Sequence, residues 1–270
     1  MSDELIDPLK RRYRLLGAAL AALVYIFLLV PSLIVIPISL GTEHEIRFPP
    51  REYSLDLYRI FFTSQAWTGP LLQSFKIAAL TTVLTLLTAV PAAYGIVRYE
   101  FPGKRIISIL MMSPLVVPAI VMALGLYLYF SYLRINGTTL ALVLGHTIYV
   151  TPFVLVMIMA GVQKLDRNLE FGATLMGASL YRMFGTVVLP QLVPSILGAA
   201  LFAFLISFDE VVISWFLVSA TTTTLPVKMY SAIQWEISPV IAAVSTILTA
   251  LSFIVCMVTA ALQRPASSAH

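Results

Sequence analysis

The segment QKLDRNLEFGATLMGASLYRMFGTVVLPQLVP, Gln163 to Pro194, lies between two membrane-length apolar runs yet is too polar to stay in lipid. Two short helical patterns stand on either side of a glycine. Glu170, Ala173, Leu175 and Met176 belong to the first; Leu180, Met183, Phe184, Val187 and Val188 recur at spacings of three and four in the second. Gly177, followed by the small Ala178 and Ser179, suits a bend between them, because glycine alone adopts positive φ at little cost. Pro190 is expected to stop the second helix, having no amide to donate, and Pro194 to sit in the first turn of whatever follows. A polar-backed helical elbow on one face of a membrane protein is a natural handle for a soluble partner. An ordinary loop lying along the membrane has the same pattern.

Composition supports a membrane setting. The chain has 270 residues, 59% hydrophobic and 11% charged, with a mean hydropathy of +0.93. A soluble domain is about half apolar and about a quarter charged, so an ordinary water-soluble fold is excluded. The net charge of +4 does not point to nucleic acid, because the basic residues form no stripe and fall instead between apolar runs. The one cysteine, Cys256, lies inside such a run, where it can form no internal disulfide and is expected to pack in the core.

About six apolar runs reach the roughly 20 residues that a bilayer crossing needs. They are residues 15–40, 71–97, 106–130, 140–162, 192–218 and 238–262. The first follows Lys10, Arg11, Arg12 and Arg14 and is too long for a signal-peptide core, so it reads as a retained anchor. The expected class is therefore all-α: a polytopic membrane bundle over 15–262, with tails at 1–14 and 263–270 and the elbow at 163–190. Placing the N-terminus inside puts Lys10, Arg11, Arg12, Arg14, Arg98, Lys104, Arg105, Lys164, Arg167, Arg182 and Arg264 on the inner side. Arg47, Arg51, Arg59, Arg134 and Lys228 then fall outside, with Lys76 near an outer helix end and assigned to neither side. The positive-inside rule thus predicts cytoplasmic termini and a cytoplasmic elbow.

The outer segment 41–69 reads as a proline-rigidified turn followed by an interfacial helix. Ser54 is its expected N-cap, Asp56 lies in its first turn, and Leu55, Tyr58 and Phe62 share a face. Asp209 and Glu210 interrupt the fifth run, where each carboxylate costs about 2.5–3.5 kcal/mol on the insertion scale. Two in succession need water, a cation or a buried donor; solvation near the interface, or the capping of a helix break, would also answer. Beyond them, Thr221 to Thr224 disfavour helix, Pro226 can start a new one, and Pro239 fits the beginning of the last span. His146, in the fourth run, is expected to hydrogen-bond within the bundle.

The elbow resembles the conserved cytoplasmic loop of ABC importer permeases, whose pattern is Glu-Ala-Ala, three residues, Gly, nine residues, Ile, one residue, Leu-Pro. Gly177, Val187, Leu189 and Pro190 match in register. The first half departs from the pattern. Phe171 occupies the Glu position, Gly172 the first Ala and Ala173 the second, while Glu170 stands one place early. FDEVVISWF, TLPVKMYSAIQWEISP, FPP…SLDLY and RYEFPGK…SPLVVPAI are similar to the spermidine/putrescine branch, second-permease type, so the resemblance covers nearly the whole chain.

What the resemblance implies is a type I importer permease in the bacterial inner membrane. It would be paired with a second permease, with two copies of a cytoplasmic ATPase below and a periplasmic substrate-binding protein outside. Glu170, Gly172, Ala173, Gly177, Ala178, Phe184, Leu189 and Pro190 would then belong to the ATPase-coupling loop. Asp209 and Glu210 would supply negative charge, and Trp215 and Tyr230 cation–π faces, along a path for a cationic solute. Tyr230, Trp235 and Glu236 would lie toward the binding protein. The chain has no phosphate-cradling GxxxxGK[ST], no HExxH and no GxSxG. Neither catalysis nor a cofactor is expected of it, and ATP and Mg would be bound by the partner ATPase. The rival reading is a stand-alone ion- or proton-coupled carrier or channel using Asp209 and Glu210. Such carriers commonly show two related halves, and no internal repeat is evident here.

Overall fold

The structure, a computed structural model, describes residues 6–42, 46–236 and 238–262. His44, residues 1–5 of the 1–14 tail and the 263–270 tail with its His270 lie outside the described residues, as do the side chains of Glu236 and Cys256. Among the described residues regular structure is helical throughout. The elements are α1 (Ile6–Ser39), α2 (Asp56–Thr63), α3 (Gln65–Arg98), α4 (Lys104–Met112), α5 (Ala119–Tyr132), α6 (Thr139–Gln163), α7 (Arg167–Leu175), α8 (Leu180–Met183), α9 (Leu189–Phe208), α10 (Val212–Leu217), α11 (Leu225–Ser231) and α12 (Val240–Leu262).

Four described spans are long and apolar enough to cross a membrane: Tyr13–Ser39, Gln65–Arg98, Thr139–Gln163 and Leu180–Phe208. The expected third run is not a straight span. α4 and the short 3-10 turn after it meet α5 at 108°. Pro114 and Pro118 account for the break: Pro118 precedes α5 with extended ψ 134° and has no amide to continue the preceding helix. The fifth run also differs from expectation, ending at Phe208 and resuming as α10.

The chain forms two compact units, 1–68 with 231–270, and 69–230. In the first, α1 and α2 both pack on α12. Leu57 and Phe61 of α2 are buried, whereas Leu55 and Phe62 are exposed, so the helix has one inward and one outward apolar face. Ser54 acts one position earlier than a conventional cap: its hydroxyl accepts the Asp56 amide at 3.0 Å and Leu55 occupies the cap position. Tyr58 and Ser39 share a hydroxyl–hydroxyl hydrogen bond of 2.6 Å that ties α2 to the end of α1.

In the second unit α6 is the central element, buried along most of its length and packed on α9 and α10. Thr138 caps it, accepting the Ala141 amide at 3.2 Å. Two glycines set how closely its neighbours approach. A Cβ on Gly145 would meet Leu217 Cδ1 of α10 at 2.8 Å, and one on Gly161 would meet Ser195 Oγ of α9 at 2.5 Å. Small residues at such crossings let helix backbones come together where no hydrophobic force drives association in lipid.

Candidate functional site

The elbow is built much as its sequence suggests up to Gly177. Asp166 caps α7, its carboxylate accepting the Asn168 amide at 2.9 Å, and Ser179 caps α8 through the Arg182 amide at 3.4 Å. Between them Gly177 has φ +82°, the left-handed value that a bend of this kind requires. The expectation for Pro190 is overturned. It sits in the first turn of α9, and helix continues from Leu180 to Phe208 through a π-helical turn at Phe184–Val188. In that turn the Leu189 amide reaches back to the Phe184 carbonyl, so the hydrogen-bond register widens just where proline cannot donate. The second limb of the elbow is thus the beginning of the fifth span, and Pro194 lies inside it.

The elbow's side chains divide into two sets. Glu170 turns inward, with its side chain 14% exposed. Arg98, at the end of α3, places Nη2 2.7 Å from Glu170 Oε1 and donates the same nitrogen to the Leu165 carbonyl at 2.9 Å. Tyr94, one turn earlier, donates its hydroxyl to Glu170 Oε2 at 2.7 Å. The Arg98–Glu170 contact is an ion pair by distance, not an aligned hydrogen bond, since neither Arg98 Nε nor Glu170 Oε1 has a hydrogen-bond partner. Phe184 meets the Tyr94 ring edge-on at 5.0 Å, Ala173 is buried, and Ala178 is half-buried. Glu170 is therefore a structural tie to α3 and not a free carboxylate on the outer face, because a buried carboxylate is held by the nearest donors available. Facing outward are Phe171, Leu175, Met176 and Tyr181, of which the last three are 85–89% exposed; Leu189, Pro190 and Gly177 are also exposed, and Gly172 is half-buried. Sequence reading missed Arg98 and Tyr94, one counted only as a topology charge and the other lying unnoticed in an apolar run.

At the end of α9 the two acidic residues take opposite roles. Asp209 is exposed and occupies the C-cap position of α9. Glu210 is buried, and both carboxylate oxygens are taken by α10: Oε1 accepts the Ile213 amide and Oε2 the Ser214 amide, each at 2.8 Å. Glu210 is thus a cap for the first turn of α10, where a negative charge also suits the helix dipole. This is the capping of a helix break that the sequence left open for one of the pair, and it occupies one acceptor site on each carboxylate oxygen. His146 of α6 completes the cluster, with Nδ1 2.8 Å from Ser207 Oγ and Nε2 2.9 Å from Ser214 Oγ. The expected hydrogen-bonded histidine is found.

Trp215 and Tyr230 face each other edge-on with ring centroids 5.0 Å apart, each about two-fifths exposed. Trp235 is 79% exposed in a π-helical turn at Ala232–Glu236; the Glu236 side chain is among those outside the description.

Residues 85–266 match the family described as "Binding-protein-dependent transport system inner membrane component". The chain is 26% identical over 253 residues to the spermidine/putrescine transport system permease protein PotC of Escherichia coli K12, covering 93% of this chain and 95% of that protein. It is 30% identical over 202 residues to the putrescine transport system permease protein PotI of the same organism, covering 68% and 72%. A chain in the crystal structure of a bacterial ABC transporter that imports the acidic polysaccharide alginate superposes with a TM-score of 0.74 at 14% identity, over 95% of this chain and 97% of that one.

Proposed function

Since this chain belongs to the binding-protein-dependent transport system inner membrane components, and is thus a permease subunit of an ABC importer and not itself an enzyme, we propose that it carries a polyamine-like organic cation across the inner membrane. The observation behind this cargo is the likeness to PotC and PotI over most of the chain. The alginate importer shares the fold while moving a polyanion, so fold alone does not choose a solute. The stand-alone carrier reading finds no support in these likenesses.

In this reading a second permease completes the path, a periplasmic binding protein delivers the solute, and two copies of an ATPase bind ATP and Mg below. Both termini and the elbow face the cytoplasm, following the Lys/Arg distribution. The outward set Phe171, Leu175, Met176 and Tyr181 forms the surface that enters the ATPase, in the manner of a short apolar helix in a groove. Glu170, Arg98 and Tyr94 pass that movement into α3. Asp209 supplies the negative charge that attracts the cation, and the Trp215–Tyr230 pair offers aromatic faces to it. Trp235 and Glu236 lie toward the binding protein.

The test is uptake of labelled putrescine and spermidine by membrane vesicles containing the whole assembly, with the binding protein added outside and ATP inside. ATP-dependent accumulation of either amine supports the reading. Accumulation of a neutral or anionic solute in its place overturns the cargo.

A further inference from the structure

Residues 209–211 separate α9 from α10, and this break is gripped from one side by a single imidazole. His146 is 1% exposed and uses both ring nitrogens, one toward Ser207 before the break and one toward Ser214 after it. One nitrogen carries the proton and the other accepts, so the two serines must take opposite hydrogen-bond roles. The Ser214 amide in turn donates to Glu210 Oε2, which lies 3.6 Å from His146 Nε2. Ser207, Ser214 and Glu210 are themselves buried. The result is a closed polar cluster within an apolar surround, where an unmet donor or acceptor is expensive and the alternatives to this arrangement are few. Asp209 is the one member of the acidic pair outside the cluster, and its exposed carboxylate leaves the chain two residues after Ser207 and directly before Glu210, both of which belong to it.

We infer that His146 is a positioning residue for transport: by joining Ser207 to Ser214 across the break, it fixes the direction in which Asp209 presents its carboxylate to the solute. This inference rests on the proposed role of Asp209 toward a cation. His146 itself is buried and does not touch the solute. Its contribution is to make one geometry of the break much more populated than others, so that the charge is already aimed when the cation arrives.

The experiment is a double-mutant cycle on the full transporter. Half-saturation and maximal rate of putrescine uptake are measured for His146→Ala, Asp209→Asn and the pair. The expected result is that His146→Ala raises the half-saturation concentration by at least about threefold, with a smaller change in maximal rate per assembled complex, and adds little once Asp209 is already Asn. Additive effects of the two changes would overturn the inference, as would a loss confined to the amount of assembled protein.

A cargo-independent measurement accompanies it. Spin labels at Leu197 and Val212, both partly exposed, are placed in a Cys256→Ser background and their distance distribution is recorded in the assembled transporter. A distribution that broadens or shifts in His146→Ala supports the positioning role, and an unchanged one overturns it. If Asp209→Asn leaves putrescine uptake unaltered while the distribution still broadens, the role of Asp209 toward the cation fails and only the structural grip of His146 stands; absence of putrescine uptake by the unaltered transporter is instead the failure of the polyamine reading. His146→Gln, which keeps a donor and an acceptor, is expected to narrow the distribution again; should His146→Ala fail to assemble, a broadened distribution in Ser207→Ala carries the test and an unchanged one refutes it.

Discussion

Arg98 Nη2 lies 2.7 Å from the Glu170 carboxylate, joining the last residue of α3 to the first turn of α7. Tyr94 approaches the other oxygen of the same carboxylate at 2.7 Å. α7 is thereby fastened to a membrane-spanning helix by a side chain that its own sequence motif does not require. An elbow tied in this way is expected to move with α3 instead of flexing independently of it.

Removing one partner should therefore uncouple as well as destabilise. Glu170→Ala leaves the nearly buried Arg98 guanidinium without its countercharge, a loss of about 3 kcal/mol. ATP hydrolysis by the assembled complex is expected to persist while solute uptake falls. Measuring both on the same preparation checks this, and equal losses of the two would contradict it.

Gly177 and Gly172 provide an internal comparison. Neither has any atom within 4 Å of an added Cβ, but only Gly177 has positive φ. Gly177→Ala is expected to cost about 1–2 kcal/mol through the left-handed backbone. Gly172→Ala, in α7, is expected to be neutral or to stabilise by about 0.5–1 kcal/mol. Thermal unfolding of the purified complex distinguishes them.

At the α6–α9 crossing the obstacle is space. Gly161→Ala forces a Cβ to 2.8 Å from Ser195 Cβ, and overpacking of this kind costs about 1–3 kcal/mol. Ser195→Gly removes the obstructing atoms, so the double variant should recover much of the lost stability. Detergent-solubilised yield against temperature would register the recovery.

Asp209→Asn and Glu210→Gln should fail differently despite being neighbours. Asp209 is exposed, so its amide variant is expected to assemble normally and change only the half-saturation for a cationic solute. Glu210→Gln sets an NH2 group against one of two backbone amides, leaving a buried donor unmet at about 1–3 kcal/mol. Its expected signature is reduced abundance. Immunoblots normalised to membrane protein, run beside uptake, separate the two.

The outer face of the elbow is predicted to matter for assembly alone. Leu175→Ser with Tyr181→Ser alters two of its most exposed side chains and should leave membrane insertion intact while the ATPase no longer co-purifies.

Local rules made much of this legible in the sequence. The bend at Gly177 and the helix start after Pro239 depend on a few adjacent residues, which a sequence displays directly; the caps at Asp166, Thr138 and Ser179 obey equally local rules but were not read from it. Pro190 misled because its effect depends on whether the preceding turn can widen, and no residue type announces a π-helical turn. Asp209 and Glu210 drew attention through their charge, but which one is buried depends on the amides of Ile213 and Ser214 curling back toward Glu210. Arg98 with Glu170, and His146 with its two serines, are partnerships between distant segments, and nothing in a linear pattern pairs them.

The π-helical turn at Phe184–Val188 is, counted along the axis, one surplus residue lodged in an otherwise regular spiral. Excising Gly185 would let the spiral close up into ordinary α-helix with little rotation of what precedes it, because the wide turn already absorbs the roughly 100° that one residue adds. Such a shortened chain should keep its hydrophobic knuckle facing as before, whereas one residue removed from the regular spiral beyond the wide turn would rotate the knuckle away.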